Sequence, residues 1–317
     1  YRDELETQGT NFFILDTKGK GSVYGDVDFV AYCWDIDHYN QVNDGDLFIY
    51  RRQQKASEIK GQFYFFGAGK ISKIQSIEGK RVKGIISKAF IFDEPLLQEE
   101  LEDFKWEFRN RGKNWEHFFN QYGMNKITKN DFIHLLSFKP GVLQESKEIS
   151  SGMDEEVKFY QRQEGGNYRV EDQEGSSKTR GAAQKVFANQ VKLEYGFQCA
   201  VTGIKTKELL VASHIVPWSE DKDNRLNPRN GICLSPLIDK AFDKGFISFT
   251  DDLKLIVSDS AKTDAALYES LRPYEGKRLN VRKEFEPDRD FLTWHRTHLL
   301  LKYNDGVNKI LSKGSFD

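Results

Sequence analysis

Residues 211–243 hold the pattern that most constrains how this chain can fold. A short apolar run around His214 ends at Pro217. The pair Asn230-Gly231 then turns the chain into a second apolar run, residues 232–234. Two short strands separated by a loop are therefore expected here.

A helix is expected directly after the second strand, because Pro236 is favourable in a first helical turn. Asp239 and Asp243 are four residues apart on it, so both carboxylates share one face. An imidazole such as His214 takes up a proton near neutral pH, and hard oxygen ligands hold ions such as Mg²⁺. The pattern predicts a site able to hydrolyse a phosphodiester.

The composition is compatible with a soluble protein of two domains. The chain has 317 residues, of which 30% are charged, with a net charge of -2. Three cysteines at no zinc-like spacing fit a reducing cytoplasm. No apolar run approaches the roughly 20 residues that span a bilayer, so a cytoplasmic location and no membrane partner are expected.

The N-terminal part is rich in short aromatic and β-branched runs, which predict strands. These runs are residues 11–15, 28–32, 46–50, 63–67 and 84–86. They favour a small barrel or a strongly bent sheet. Helical periodicity follows at 96–106, 115–119 and 132–136.

The chain then turns polar, which divides it into three parts. We expect an N-terminal domain over 1–143, a linker over 144–178 and a second domain over 179–317. The second domain should begin with a helix from about 179 to 195 and finish with another around 288–301. The predicted fold class is α+β.

The C-terminal part resembles the HNH, or ββα-metal, endonuclease family over about residues 180–300. The resemblance rests on long motifs that occur in order and at matching spacing. They are Cys199-Ala-Val-Thr-Gly203, Ala212-Ser-His-Ile-Val-Pro-Trp218, Asn227-Pro-Arg-Asn-Gly-Ile-Cys-Leu-Ser-Pro236 and Asp239-Lys-Ala-Phe-Asp243.

The resemblance implies a role for each matching residue. His214 takes the position of the general base, Asn230 that of the residue orienting the base or its loop, and Asp239 and Asp243 those of metal ligands. The residue before the base is often an Asp or His ligand, but here it is Ser213, a weak ligand. Asp239 in place of a third histidine favours Mg²⁺ or Mn²⁺ over zinc.

The N-terminal part resembles the EVE branch of PUA-like domains over about residues 10–95. The resemblance rests on the segment from Trp34 to Asn40, on Gly45-Asp46 with the strand after it, and on Gly67-Ala-Gly-Lys-Ile71. It implies a PUA-like β-barrel with a pocket for a modified base flipped out of a duplex. The predicted pocket residues are Tyr32, Trp34 and Tyr39 for stacking and Asp35 for an edge hydrogen bond, although aromatic clusters are more often core.

Positive charge is concentrated next to these motifs. Residues 51–88 contain ten Lys and Arg against two Glu, which predicts a strip facing phosphates. The predicted DNA contacts are Arg51, Arg52, Lys70 and Arg180.

This order of domains resembles modification-dependent restriction endonucleases, so the expected partner is double-stranded DNA carrying a modified base such as 5-methylcytosine. One HNH site cuts one strand, and a homodimer is therefore expected. Two alternatives stay open: the N-terminal domain reads a phosphorothioate or a hypermodified base, or the HNH core is degenerate and the chain only binds nucleic acid. Ser213 and the missing third histidine support the latter.

Overall fold

The structure is a computed structural model that describes residues 1–19, 25–37, 39, 41–107, 123–138, 147–172 and 177–300. The chain divides into two compact units, and each is described by itself. The first comprises Tyr1–Gly165 and Ser176–Ala182, and the second Gly166–Gly175 and the chain from Ala183 onward. The predicted domain borders at 143 and 179 stay predictions.

The first unit consists of six strands and helices that pack on them. Its elements are α1 (Arg2–Glu6), β1 (Phe12–Thr17), β2 (Ala31–Asp35), β3 (Leu47–Arg52), β4 (Tyr64–Glu78), β5 (Arg81–Leu97), β6 (Met124–Ile127), α2 (Lys129–Ser137) and α3 (Lys147–Glu164). The strands form one curled half-barrel sheet in the order β2-β5-β4-β3-β1-β6. The predicted strongly bent sheet is confirmed at this level.

Strand β1 lies inside the sheet, which explains its unbroken apolar start. It pairs parallel with β3, Phe12 opposite Leu47, and antiparallel with β6, Phe12 opposite Ile127. Buried side chains of α2, including Phe132 and Leu135, join the same core cluster. Strands buried on both faces read as continuous hydrophobic runs rather than alternating ones.

Two helix predictions in this unit have different outcomes. The helix expected at 132–136 is confirmed as α2, whose N-terminus is capped by the hydroxyl of Thr128. The helix expected at 96–106 is wrong, because β5 continues to Leu97 opposite Tyr64 and only a short 3₁₀ turn, Gln98–Leu101, follows. The helix expected at 115–119 falls outside the described residues.

Helix α3 lies inside the segment that the sequence predicts as a linker. Its Tyr160 ring meets Phe29 edge-on at 5.2 Å and stacks on Phe66 at 6.4 Å between ring centroids. Its hydroxyl donates to Asp28 Oδ2 at 3.2 Å and accepts from Arg52 at 3.1 Å. These contacts explain why a largely polar stretch is helical.

The second unit has short elements joined by tight turns. They are α4 (Ser177–Glu194, shared with the first unit at its start), β7 (Val211–His214), β8 (Gly231–Leu234), α5 (Pro236–Asp243), β9 (Ile247–Phe249), β10 (Leu255–Val257), α6 (Asp259–Lys262), α7 (Ala265–Leu271) and α8 (Arg289–His295). The predicted first helix, strand pair and α5 are confirmed. The predicted last helix is α8, followed by one π-helical turn, Arg296–Leu300. Within the described residues, no helix combines the length and apolar character needed to cross a bilayer.

Candidate active site

His214 lies at the end of a two-stranded ribbon. Strands β7 and β8 pair antiparallel, with Ser213 opposite Ile232 and His214 opposite Gly231. Helix α5 begins directly after β8, with Ser235 before it and Pro236 in its first turn. Strand, loop, strand and helix therefore follow in the order that the sequence predicts.

The ring of His214 is clamped between aromatic side chains. It stacks on Phe187 of α4 with centroids 3.6 Å apart and planes 13° apart, and it meets Trp218 edge-on at 5.8 Å. Gly231 makes room for this arrangement, because a Cβ there would lie 2.4 Å from Val191 and 2.8 Å from Phe187. The stacked contact fixes the plane of the imidazole.

One ring nitrogen of His214 is committed to the backbone. Nε2 lies 3.0 Å from the carbonyl oxygen of Arg225, which can only accept a hydrogen bond, so Nε2 carries the proton. Nδ1 is then the nitrogen with the lone pair. Burial lowers the pKa of His214 to about 4, and the nearby charge of Arg225 adds to that effect while the carbonyl opposes it. The ring is therefore neutral at neutral pH.

Asn230 fixes the chain just after His214. Its Oδ1 accepts from the backbone N–H of Val216 at 2.8 Å, and its Nδ2 donates to the carbonyl of Val216 at 3.2 Å. Its own carbonyl accepts from Ile215 at 2.9 Å. Asn230 is 1% exposed, so these bonds form away from water and hold the loop firmly.

The two aspartates of α5 affect each other electrostatically. Partial burial raises the pKa of Asp239, and the Ser213 hydroxyl and Lys240 act against that rise. Partial burial of its carboxyl group, followed by the charge of Asp239, raises the pKa of Asp243. The Ser213 hydroxyl faces Asp239 but is buried without a hydrogen bond that meets normal distance and angle limits. A cation bound here would relieve the repulsion between the carboxylates.

The donors that these residues offer a cation are oxygen atoms. Among the described residues, no group of three or more His, Cys, Asp or Glu side chains is placed to hold a metal ion. Mg²⁺ commonly uses one or two carboxylates and completes its shell with water and substrate phosphates. Asp239, Asp243 and the buried hydroxyl of Ser213, which faces Asp239, supply such a partial set.

Two of the four predicted base-pocket residues are buried. Tyr32 and Trp34 of β2 are 2% and 6% exposed, with ring centroids 6.5 Å apart. Tyr32 donates its hydroxyl to the carbonyl of Asp16 at 3.1 Å. Asp35 accepts from the backbone of Asp37, and Tyr39 is half-buried against Gly123. Tyr32 and Trp34 thus present no open face for a base in this conformation.

Two of the predicted DNA contacts are buried in ion pairs. Arg51 is 1% exposed and forms a two-pronged pair with Asp16, at 2.6 and 2.7 Å. Arg52 is 3% exposed and bonded to Asp28 at 2.9 Å. Both guanidinium groups are thus buried and paired in this conformation, and their contact with DNA stays a prediction. Lys70 is half-buried and pairs with Glu4 at 3.0 Å, whereas Arg180 is exposed.

Two residues next to His214 were not predicted from the sequence. Phe187 belongs to the apolar periodicity of α4, which predicted a core position but no contact with an imidazole. Arg225 lies in a polar loop between Asn224 and Leu226, where its type and spacing gave no signal. Cys199 and Cys233 are buried free thiols.

Comparison with known proteins agrees with the motif. Residues 199–250 match the model of a family described as HNH endonuclease. No curated protein matches the chain. Among solved structures, one described as "Modification dependent TagI restriction endonuclease" is similar at 14% identity and a TM-score of 0.28, over 90% of this chain and 81% of that one. A TM-score that low supports no structural argument. The family match shows that the chain contains an HNH endonuclease domain.

Proposed function

We propose that this chain is a metal-dependent DNA endonuclease that cuts DNA bearing a modified base. The observation that supports the proposal best is the His214 ring, held as the Nε2–H tautomer inside the region that matches the HNH family. Nucleic-acid hydrolysis needs a base whose lone pair points at a water molecule, and this tautomer leaves Nδ1 for that task.

His214 acts as the general base in this proposal. Because its pKa is about 4, the ring is unprotonated at neutral pH and ready to accept a proton. The approach of a phosphate anion would raise that pKa and strengthen the base. His214 has no hydrogen bond to Asp239 or Asp243 in the described structure. None is required, since the attacked phosphate would lie between base and ligands.

Asp239 and Asp243 would hold a divalent ion, Mg²⁺ or Mn²⁺, with Ser213 as a weaker oxygen donor. When bound, such an ion stabilises the charge of the pentavalent phosphorus and the leaving oxygen. The protein's own contribution is to fix the carboxylates on one face of α5 and to exclude water around the Ser213 hydroxyl. Asn230 would keep the loop after the base in place.

The modified base is a proposal supported by the N-terminal motifs. The EVE-like pattern predicts a pocket near Tyr32, Trp34, Asp35 and Tyr39, and flipping a base costs a few kcal/mol that stacking must offset. Since two of these rings are buried, the side chains would have to rearrange when a base enters. A single HNH site cuts one strand, so a double-strand break is proposed to need a homodimer.

Parallel digestions test both the metal-dependent cleavage and the recognition of a modified base. Phage DNA in unmodified, methylated and hydroxymethylated forms is incubated with the full-length protein and Mg²⁺ or Mn²⁺, with chelator in matched reactions. The expected result is cleavage of a modified DNA only, and none with chelator.

Two other outcomes would be informative. Equal cleavage of all three DNAs would remove the base-reading role of residues 10–95 while leaving the nuclease. No nicking of any DNA with either metal would favour the degenerate, binding-only alternative.

A further inference from the structure

The segment Gly166–Asp172 belongs to the nuclease unit by its hydrogen bonds, although the sequence suggests a linker. The backbone N–H of Val170 donates to the carbonyl of Lys222 at 2.9 Å. The backbone N–H of Leu226 donates to the carbonyl of Tyr168 at 3.0 Å. The segment therefore lies along the loop that ends at Arg225.

The side chain of Arg225 joins this segment to the loop around Trp218. Arg225 is 2% exposed, and its Nε donates to the carbonyl of Trp218 at 2.8 Å. Its Nη1 donates to the carbonyl of Val170 and pairs with Asp172 Oδ1, both at 2.7 Å. The guanidinium also lies 4.7 Å from the centre of the Trp218 ring.

These bonds are directional and buried, so they fix the arginine in one position. A planar guanidinium presents several N–H donors in a rigid fork, and a lysine at the same place offers a flexible point charge instead. A buried donor left without its acceptor costs far more than an exposed one. Arg225 therefore ties two backbone segments together in a way that another cation does not reproduce.

The backbone carbonyl of this same residue holds the proposed base. The Arg225 carbonyl accepts the Nε2–H of His214 at 3.0 Å. Trp218, which the guanidinium covers, meets the His214 ring edge-on. Any shift of Arg225 is thus transmitted both to the hydrogen bond and to an aromatic neighbour of the imidazole.

We propose that Arg225 is a positioning residue of the nuclease, and that Gly166–Asp172 completes the frame that keeps His214 in its Nε2–H tautomer. This inference rests on the proposed role of His214 as the base. A segment with the composition of a linker is then part of the catalytic domain, anchored through Val170 and Asp172.

The test compares Arg225→Lys with a matched control, Arg296→Lys, in the full-length protein. Arg296 also donates to a backbone carbonyl, that of Phe249 at 2.7 Å, and pairs with an aspartate, Asp251, at 2.5 Å. No hydrogen bond or ring contact joins Arg296 to His214 in the described structure. The substrate is the phage DNA that the wild-type protein cuts best.

Arg225→Lys should lower kcat roughly 10- to 100-fold with KM for DNA nearly unchanged, because the base is displaced while the binding surface is kept. Arg296→Lys should cut at close to the wild-type rate. Long-range ¹H–¹⁵N spectra of the histidine rings supply a readout independent of activity. The wild type should show His214 as the Nε2–H tautomer, and Arg225→Lys should show a mixture.

Wild-type kcat in Arg225→Lys, or an unchanged tautomer, would overturn the inference. If that variant fails to fold, Asp172→Asn replaces it. Asp172 is exposed, so this substitution weakens the ion pair with Arg225 without burying a new group. It should lower kcat severalfold, and wild-type kcat would again overturn the inference. His214→Ala, measured alongside, separates the two proposals: if it too cuts normally, the proposed function itself fails.

Discussion

In the sheet of the first unit, the buried side chain of Arg51 finds its partner far away in the sequence, whereas in the ribbon of β7 and β8, with its connecting loop, His214 and Asn230 find partners closer by. Arg51 meets Asp16 across 35 positions, while His214 meets Arg225 across 11 and Asn230 meets Val216 across 14. In the sheet, the buried charges of Arg51 and Arg52 are neutralised by ion pairs with Asp16 and Asp28. In the ribbon, the His214 ring is held through Nε2 by a backbone carbonyl, so that its Nδ1 is left outside that hydrogen bond.

The longer-range pairing of Arg51 and the shorter-range bonds of His214 and Asn230 bear on how far each region can be predicted from the sequence. Among the ten cations in 51–88, Arg51 and Arg52 are buried in ion pairs, whereas others, such as Lys55, Lys60, Lys73 and Lys80, are exposed. The run of positive charge in the sequence therefore divides into buried ion pairs and surface side chains, and its role toward phosphates stays a prediction.

The largest expected effect concerns the buried pair of the sheet. Asp16→Ala should lower the free energy of unfolding by about 3–5 kcal/mol, because it leaves Arg51 buried and uncompensated. The measurement is urea unfolding followed by circular dichroism. Glu6→Ala is the control, since its pair with Arg2 is exposed and should contribute little. A loss no larger than the control's would mean that the pair does not hold the sheet.

A second prediction uses pH to examine the same unit. Burial alone would raise the pKa of Glu4, but hydrogen bonds from Lys88 and Lys70 outweigh it and lower the pKa to about 2. A carboxylate with a depressed folded pKa stabilises the fold above its unfolded pKa, and this stability is lost as the pH falls. Between about pH 4.5 and 2, the wild type should lose at most about 3 kcal/mol from this group.

Glu4→Gln should remove that acid-dependent loss, whereas Glu6→Gln, on an exposed face of the same helix, should keep it. The measurement is the unfolding midpoint in urea at a series of acidic pH values. If wild type and Glu4→Gln lose stability in parallel across this range, the pair of lysines does not act on Glu4 as described.

The smallest expected change in stability is that of Gly231→Ala in the ribbon. Unlike the substitutions in the sheet, it should also lower the rate of DNA cleavage. Gly231→Ala places a methyl group against Phe187 and Val191, which should cost about 1–3 kcal/mol and tilt the ring stacked on His214. Cleavage should fall by more than the stability loss explains. Gly181→Ala is the control. Gly181 lies in α4, the helix that carries Phe187 and Val191, and a Cβ there would have no atom within 4 Å, so the substitution should stabilise α4 slightly. Full cleavage by Gly231→Ala would show that the stack does not matter.

The ribbon was predictable because its signals are local. Pro217, Asn230-Gly231 and Pro236 each determine a turn or a helix start within a few residues, and Asp239 and Asp243 share a face by helical geometry alone. The sequence therefore predicted β7, β8 and α5 correctly. The roles predicted for His214, Asn230 and the two aspartates rest on the resemblance to the HNH family, because local sequence signals alone do not assign a catalytic role.

The remainder depends on partners that spacing does not show. The helix expected at 96–106 is wrong because pairing with Tyr64 extends β5 to Leu97, and a pairing partner 33 positions earlier leaves no local signal. The burial of Arg51 depends on Asp16 in the same way. The role of Gly166–Asp172 was hidden because ion-paired loops and linkers have the same polar composition.

In the proposed reaction, His214 takes a proton from water at a scissile phosphate. The most direct test is single-turnover cleavage of modified phage DNA by His214→Ala, with DNA binding measured by gel shift in parallel. His298→Ala is the control, a histidine of the same unit that stacks on Trp294. We expect His214→Ala to cut at least about a hundredfold more slowly with binding retained, while His298→Ala cuts normally. Cleavage by His214→Ala at the rate of the control would contradict this role of His214.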